Sequence, residues 1–286
     1  MSSATGAVRS LYYYPVKGLS PQQLERVELA PGKGFPFDRM YGLALFDSGF
    51  DPSHPRPLPK QKFLMLARDA RLAELQTHLD PQAGRFTVQV QGRVVHESNF
   101  RQPDLAEKTI DFFATLFGLG PDRRPLLAEA APHRFTDVSV SSERMMNTIS
   151  LINLNSVADL GARLGVPVDP LRFRANLYFD GWPAFSELDC VDEEFEIGSL
   201  RLRILKRTRR CAATEVNLQT AKRDIAIPRL LNEHYGHSHM GVYAEVLTGG
   251  TLEVGMPVFI GALPAPTSTP RSPGETKPAR QRERDP

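Results

Sequence analysis

Residues 195–205 alternate apolar and polar side chains almost one for one: Phe195-Glu196-Ile197, a Gly198-Ser199 turn, then Leu200-Arg201-Leu202-Arg203-Ile204-Leu205. A period of two puts one set of side chains on a buried face and the other in solvent, which a strand does and a helix does not. The same reading applies to residues 24–29 and 86–90, to the aromatic run 10–16, and to the apolar runs 40–46, 149–154 and 176–179. Gly and Pro punctuate them at 31–34, 165–167 and 180–181. A hairpin is expected over 241–254, turning at Thr248-Gly249-Gly250. Helical spacing is confined to 63–79, to 106–118, and to 157–164, the last expected to be capped by Asn155 or Ser156. Residues 51–59 hold four prolines and read as an irregular loop. Many short strands, few helices and no repeat predict a mainly β fold with α insertions (α+β), in two β-barrel-like domains. The expected division is 1–125, 126–263, and a disordered Pro/Arg-rich tail, 264–286.

Charge narrows the functional classes. The chain carries 35 basic and 33 acidic residues, and the tail alone supplies the excess of +2. A neutral body argues against nucleic-acid binding through a broad basic face. No run of eighteen apolar residues exists, so no membrane span is expected, and the N-terminus lacks the pattern of a signal peptide. Two cysteines cannot build a disulfide framework, which fits a cytoplasmic location. Walker, dinucleotide-binding, nucleophile-elbow and zincin motifs are absent.

Chemistry then concentrates near Cys211, which follows Arg207-Thr208-Arg209-Arg210 where the alternation breaks. Guanidinium groups favour the thiolate, which is both a nucleophile and a soft metal ligand. The same arginines also suit a phosphate, and an arginine run beside an inert thiol has the same pattern. Cys190 sits among Glu187, Asp189, Asp192, Glu193 and Glu194 and reads as a small buried hydrophobe with a raised pKa. His234, His237 and His239 could bind zinc or nickel, but without a carboxylate at coordinating spacing they read as a polar turn. Asp38-Arg39 is an internal ion pair or an arginine aimed into a cleft, and Asp224 caps or pairs locally.

Several segments, in order, resemble the MOSC-domain family. Tyr14-Pro15-Val16-Lys17-Gly18 is similar to its opening motif, and Asp38-Arg39 to its D-R pair. Residues 150–160 and Arg172-Phe173-Arg174-Ala175-Asn176-Leu177 resemble its central segments. Residues 210–217, Met240-Gly241-Val242-Tyr243 and Val254-Gly255-Met256-Pro257-Val258 resemble its closing motifs. The resemblance covers roughly residues 8–262. It implies a MOSC N-terminal β-barrel domain ahead of a MOSC domain, similar to molybdenum-cofactor amidoxime and N-hydroxylamine reductases and to the C-terminal part of molybdenum-cofactor sulfurase.

The resemblance implies that Cys211 is the catalytic thiolate on molybdenum. Lys17, Arg39, Arg174 and Arg210 would hold the phosphate and ring edges of the molybdopterin, and Asn176, Thr208 and Tyr243 would add hydrogen bonds. It implies reduction of N-hydroxylated or related N- and S-oxygenated compounds, or else sulfur (persulfide) carriage or cofactor binding without turnover. Pyridoxal phosphate binding enters only as a family-level association. Ala175, Asn217 and Met256 depart from the family's proline, aspartate and aspartate; Tyr41 stands near a usual tryptophan, and Gly18 where some relatives have serine. The ferredoxin-type cysteine extension of one branch is absent, so electrons would come from a separate donor protein.

Overall fold

The computed structural model describes residues 6–129 and 131–260, so the expected tail lies outside the described residues. Among the described residues, seven strands close into a ring. Leu177–Phe179 lies beside Ile149–Asn153, followed by His239–Thr248, Leu200–Arg209, Glu194–Ile197, Pro257–Ile260 and Gly6–Tyr13. Gly6–Tyr13 then pairs back onto Leu177–Phe179, with Val8 opposite Phe179 and Leu11 opposite Leu177. Closure removes the open edges that exposed strands leave. The ring therefore takes its first strand from the opposite end of the chain to the other six.

The alternation of residues 195–205 does what its period requires. Phe195, Ile197, Leu200, Leu202 and Ile204 turn inward and are at most 2% exposed, joined by Val242, Ala244 and Val246 of the facing strand. Ile149–Asn153 does not alternate because both its faces are covered. Ile149 and Leu151 face the barrel core, while Ile152 packs with Val157 and Leu160 of the Leu154–Leu164 helix and with Ile227 and Leu231 of the Ile227–Tyr235 helix. The Leu154–Leu164 helix also makes the crossover to Leu177–Phe179, the one parallel neighbour in the ring.

The remaining strands form smaller sheets. Val16–Lys17, Tyr41–Ala44 and Leu126–Glu129 make one, and Gln76–Leu79, Arg85–Val90 and Arg93–Asn99 another. They share a core of Val16, Leu19, Leu43, Leu72, Leu75, Phe86 and Val88 with Phe113 of the Pro103–Leu116 helix, and Val216 from the second half enters it.

Four local expectations are corrected. Residues 63–79 are not one helix. Short 3-10 turns at Lys60–Lys62 and Ala70–Glu74 precede the Gln76–Leu79 strand. Asp69 accepts from the Arg71 N–H and caps the second turn, so apolar spacings of three serve a tight turn instead. The Leu154–Leu164 helix is capped by Asn153, whose side chain accepts from the Asn155 N–H, two or three residues before the expected caps. The 241–254 hairpin does not form, because Gly250–Glu253 pairs with Arg26–Leu29. A Cβ on Gly249 would lie 2.6 Å from the Leu29 carbonyl oxygen, and that close approach carries the chain across instead of back. Finally, residues 24–29 divide between two sheets, Gln22–Leu24 joining Gly6–Tyr13 and Arg26–Leu29 joining Gly250–Glu253.

Candidate active site around Cys211

The end of the Leu200–Arg209 strand delivers the central residues. The pleat turns Thr208 inward, 4% exposed, while Arg207 and Arg209 point the other way. Register shifts between Arg207 and Arg209 end the regular pairing there. Arg210 and Cys211 follow outside the strand. Cys211 is extended and opens the Ala212–Glu215 turn, its carbonyl accepting from the Thr214 N–H at 3.0 Å and hydroxyl at 2.9 Å.

One cavity collects Cys211 with Lys17, Arg39, Arg174, Asn176, Thr208, Arg210 and Tyr243, all eight residues singled out from the sequence. Lys60, Thr136, Asp137 and Arg172 complete its polar wall. Both halves of the chain therefore build it. Six cationic side chains, those of Lys17, Arg39, Lys60, Arg172, Arg174 and Arg210, line the cavity against two carboxylates, Asp38 and Asp137, in a chain whose overall charge is only +2. Such a concentration of one sign favours an anionic ligand.

The cations divide into two kinds. Lys17 is buried and donates to the Phe135 carbonyl and to Asp137, each at 2.7 Å. Arg39 donates to Asp38 at 2.5 Å and to the Arg174 carbonyl at 2.8 Å, so the Asp38-Arg39 pair is internal and also faces the cleft. Arg172 is bidentate on Asp224, so beside the local partner expected for it, Asn217 at 2.7 Å, Asp224 has a second one 52 residues away. Among the described residues, no carboxylate pairs with Arg174 or Arg210. Arg210 donates only to backbone carbonyls, those of Met240 and Phe173. The Arg174 guanidinium lies 4.3 Å from the Tyr14 ring centroid, with that of Arg39 at 4.4 Å. Burial pushes the pKa of both Arg174 and Arg210 down, so a bound anion would relieve their desolvation.

Arg39 and Arg174 hold left-handed backbone, at φ 52° and 53°. Side chains rarely adopt it unless the surroundings fix it, and it recurs at functional sites. The surroundings do fix it here: the Arg39 N–H donates to the Tyr14 carbonyl at 2.7 Å, and the Arg174 carbonyl holds Arg39.

Asn176 lines the cavity, but its amide is largely engaged. Its oxygen accepts from the Ser150 N–H and hydroxyl, and its nitrogen donates to the Tyr12 carbonyl. It ties three barrel strands together and keeps one N–H in reserve. Burial raises the pKa of the Tyr243 hydroxyl, despite the opposing charge of Arg210.

Lys60 and Asp137 carry no pattern that marks them in the sequence. Lys60 lines the cavity with Cys211 and reaches Asp137 at 3.4 Å. Burial lowers the pKa of its ammonium, but Asp137 and Cys211 outweigh that and leave it raised. Burial likewise raises the Asp137 carboxyl, and Lys17, Lys60 and Arg39 outweigh it, holding the group well below the usual carboxylate range. Three buried polar atoms of the wall, Thr136 Oγ1, Arg172 Nε and Thr208 Oγ1, have no partner within the described protein. Buried polar groups are normally satisfied, so these fit a polar ligand.

The other candidates lie elsewhere. Cys190 is fully buried, donates to the Ser186 carbonyl, and is pushed up to about 12 by burial and then by Glu187, Asp189 and Glu193. The three histidines stand among aromatic rings, with His237 stacked on Tyr235. Among the described residues, no group of three or more His, Cys, Asp or Glu side chains is placed to hold a metal. None of the described helices is long and apolar enough to cross a membrane.

Family models match two stretches: the MOSC N-terminal beta barrel domain at residues 5–119 and the MOSC domain at 132–259. Human molybdenum cofactor sulfurase is 23% identical over 316 aligned positions, covering 97% of this chain and 34% of that protein. The chain thus spans about a third of that relative's length. Two solved structures also align. YiiM from Geobacillus stearothermophilus does so with 19% identity and a TM-score of 0.32, over 40% of this chain and 54% of that one. The YuaD protein from Bacillus subtilis does so with 13% identity and a TM-score of 0.40, over 91% and 98%.

Proposed function

This chain belongs to the MOSC family, with the N-terminal β-barrel domain ahead of the MOSC domain, and from that premise we propose that it is a molybdenum-cofactor-binding oxidoreductase. Its substrates are N-hydroxylated or related oxygenated small molecules, and its electrons come from a separate donor protein. The observation that carries the reading is one thiol, Cys211, set in a cavity with the cationic side chains of Lys17, Arg39, Lys60, Arg172, Arg174 and Arg210, of which Arg174 and Arg210 have no carboxylate partner among the described residues.

The residues present fit the cofactor. Cys211 would supply a soft sulfur ligand for molybdenum, with Lys60 in the same wall. Arg174 and Arg210 are the two guanidinium groups open to a phosphate, which their planar fork can hold bidentately. Lys17 and Arg39 act one step back, by fixing Asp137, Asp38 and the Arg174 carbonyl. Thr208, Thr136 and the free N–H of Asn176 supply hydrogen bonds to ring edges. The bound molybdenum would supply two-electron redox chemistry, while the protein binds, orients and tunes it. Lys60 and Asp137, both held in their charged forms, keep the wall near Cys211 polar.

Molybdenum and pterin content, measured on protein from a host that makes the cofactor, tests this reading. The expected result is near-stoichiometric metal that is lost in Cys211→Ser and retained in Cys190→Ser, with reduction of an N-hydroxylated substrate by an artificial donor. Metal-free wild-type protein would overturn it. The match to a molybdenum cofactor sulfurase favours a second reading, in which Cys211 carries sulfur as a persulfide. A stable sulfur adduct on Cys211 of metal-free protein would select that reading.

A further inference from the structure

A cavity of about 240 Å³ is built wholly from the N-terminal half of the chain and shares no lining residue with the cavity of Cys211. Phe37, Tyr41 and Phe100 line it, with Met40 and Leu79 between them. Tyr41 and Phe100 meet edge to face, their ring centroids 5.2 Å apart. Phe37 is 41% exposed, and its backbone sits in the left-handed region at φ 57°. A bulky residue seldom takes that conformation, which recurs at ligand clamps.

Two charges stand in the same wall. Arg101 donates to the Pro81 carbonyl at 3.1 Å, which leaves most of its N–H groups open, and Glu129 lies opposite Tyr41 in the sheet. Among the described residues, no carboxylate pairs with Arg101, no cation pairs with Glu129, and the two do not pair with each other. Burial and then Glu129 push the Tyr41 hydroxyl up to about 12, so it stays protonated beside that carboxylate. The cavity thus offers aromatic surface with one unpaired charge of each sign. A ligand with a single charge satisfies one of them and meets the other as a repulsion; a ring that carries both satisfies the pair.

We infer that this cavity binds a small aromatic zwitterion, of the class of a free aromatic amino acid, with its ring among Phe37, Tyr41 and Phe100, its carboxylate at Arg101 and its ammonium at Glu129. An apolar cavity of about 150 Å³ already holds a benzene, so this one has room for a ring and a short charged head. The ammonium gains further from the aromatic faces around it. The site is separate from the one proposed for the cofactor and does not rest on that reading. Phe37 and Met40 flank the Asp38-Arg39 pair, so an occupant touches the segment that presents Arg39 to the cavity of Cys211.

The probe is para-fluoro-L-phenylalanine, followed by fluorine NMR on the full-length protein without cofactor. Wild-type protein is expected to shift and broaden its resonance. Three variants at exposed positions test the contacts: Phe37→Asn, since asparagine tolerates left-handed backbone, Arg101→Gln and Glu129→Gln. Loss of the Phe37 ring is expected to weaken binding by about tenfold, and loss of either charge by about fivefold. Para-fluorophenethylamine, which lacks the carboxylate, should bind more weakly than the probe and be insensitive to Arg101→Gln. Para-fluorohydrocinnamate, which lacks the ammonium, should be the weaker binder too and insensitive to Glu129→Gln. A probe that wild-type protein does not bind, that all three folded variants bind as tightly as wild type, or that binds no better than its singly charged analogues would overturn the inference.

Discussion

Glu187 is the buried group whose removal has a calculable consequence. Its side chain is fully enclosed, and among the described residues no cation pairs with it. Both carboxyl oxygens lie 2.9 Å from the Ser156 hydroxyl, and Asn153 donates to one of them at 3.2 Å. A hydroxyl has a single proton to give, so the carboxyl is better satisfied when it carries a proton of its own. Burial accordingly raises its pKa from 4.5 to about 7, against the opposing hydrogen bonds of Ser156 and Asn153. The folded state then binds a proton that the unfolded chain releases. Stability from this group is complete below about pH 4.5 and is lost as pH rises through about 7. At about 1.36 kcal/mol per pH unit the interval is worth about 3 kcal/mol.

Glu187→Gln keeps the size and the neutral hydrogen-bonding character but cannot titrate. Urea unfolding of both proteins across this range should show wild-type stability falling by about 3 kcal/mol relative to the variant as pH rises. The difference between the two curves isolates Glu187 from every other titrating group. Parallel curves would refute the argument, because the carboxyl would then be ionised in the folded state at no cost. The same carboxyl faces the Gly241 N–H, next to Met240, whose carbonyl holds Arg210.

Arg172→Met should lower unfolding stability by about 2–3 kcal/mol, below the usual figure for a fully buried pair because Asp224 is 37% exposed; Asp224→Asn in the same background should add little. Gly241→Ala should cost more than about 2 kcal/mol and reduce soluble yield, since its Cβ would lie 2.2 Å from the Leu151 carbonyl oxygen at φ +72°. Iodoacetamide should label Cys211 in the folded, metal-free protein and spare Cys190, whose thiol is buried and raised to about 12; mass spectrometry showing Cys190 labelled first would contradict the packing.

The barrel was legible where one residue's neighbours decide its side. Residues 195–205 could only alternate between core and solvent, and the Pro103–Leu116 helix followed from apolar spacing ended by a glycine-rich stretch. Legibility failed where a distant partner decides. Residues 63–79 have the spacing of a helix, but contacts with Val16, Leu19 and Phe86 bend them into turns and a strand. The 241–254 segment looks like a hairpin, yet Gly249 lets it approach Leu29 and leave for another sheet.

The site divides the same way. The arginines before Cys211 and the order of the matching motifs are properties of the sequence, and they brought eight residues to one cavity. Lys60 and Asp137 carry no local signal; they meet at Cys211 because loops from both halves converge there. Sequence alone determined where the strictly alternating strand at 195–205 runs and which thiol lies among cations, since both depend on adjacent residues. Only the tertiary structure decided which cations are already paired, because a counter-charge may arrive from any distance along the chain. Arg172 meets Asp224 across 52 residues and is spent on the fold, while Arg174, two residues on, meets no carboxylate and is left for a ligand.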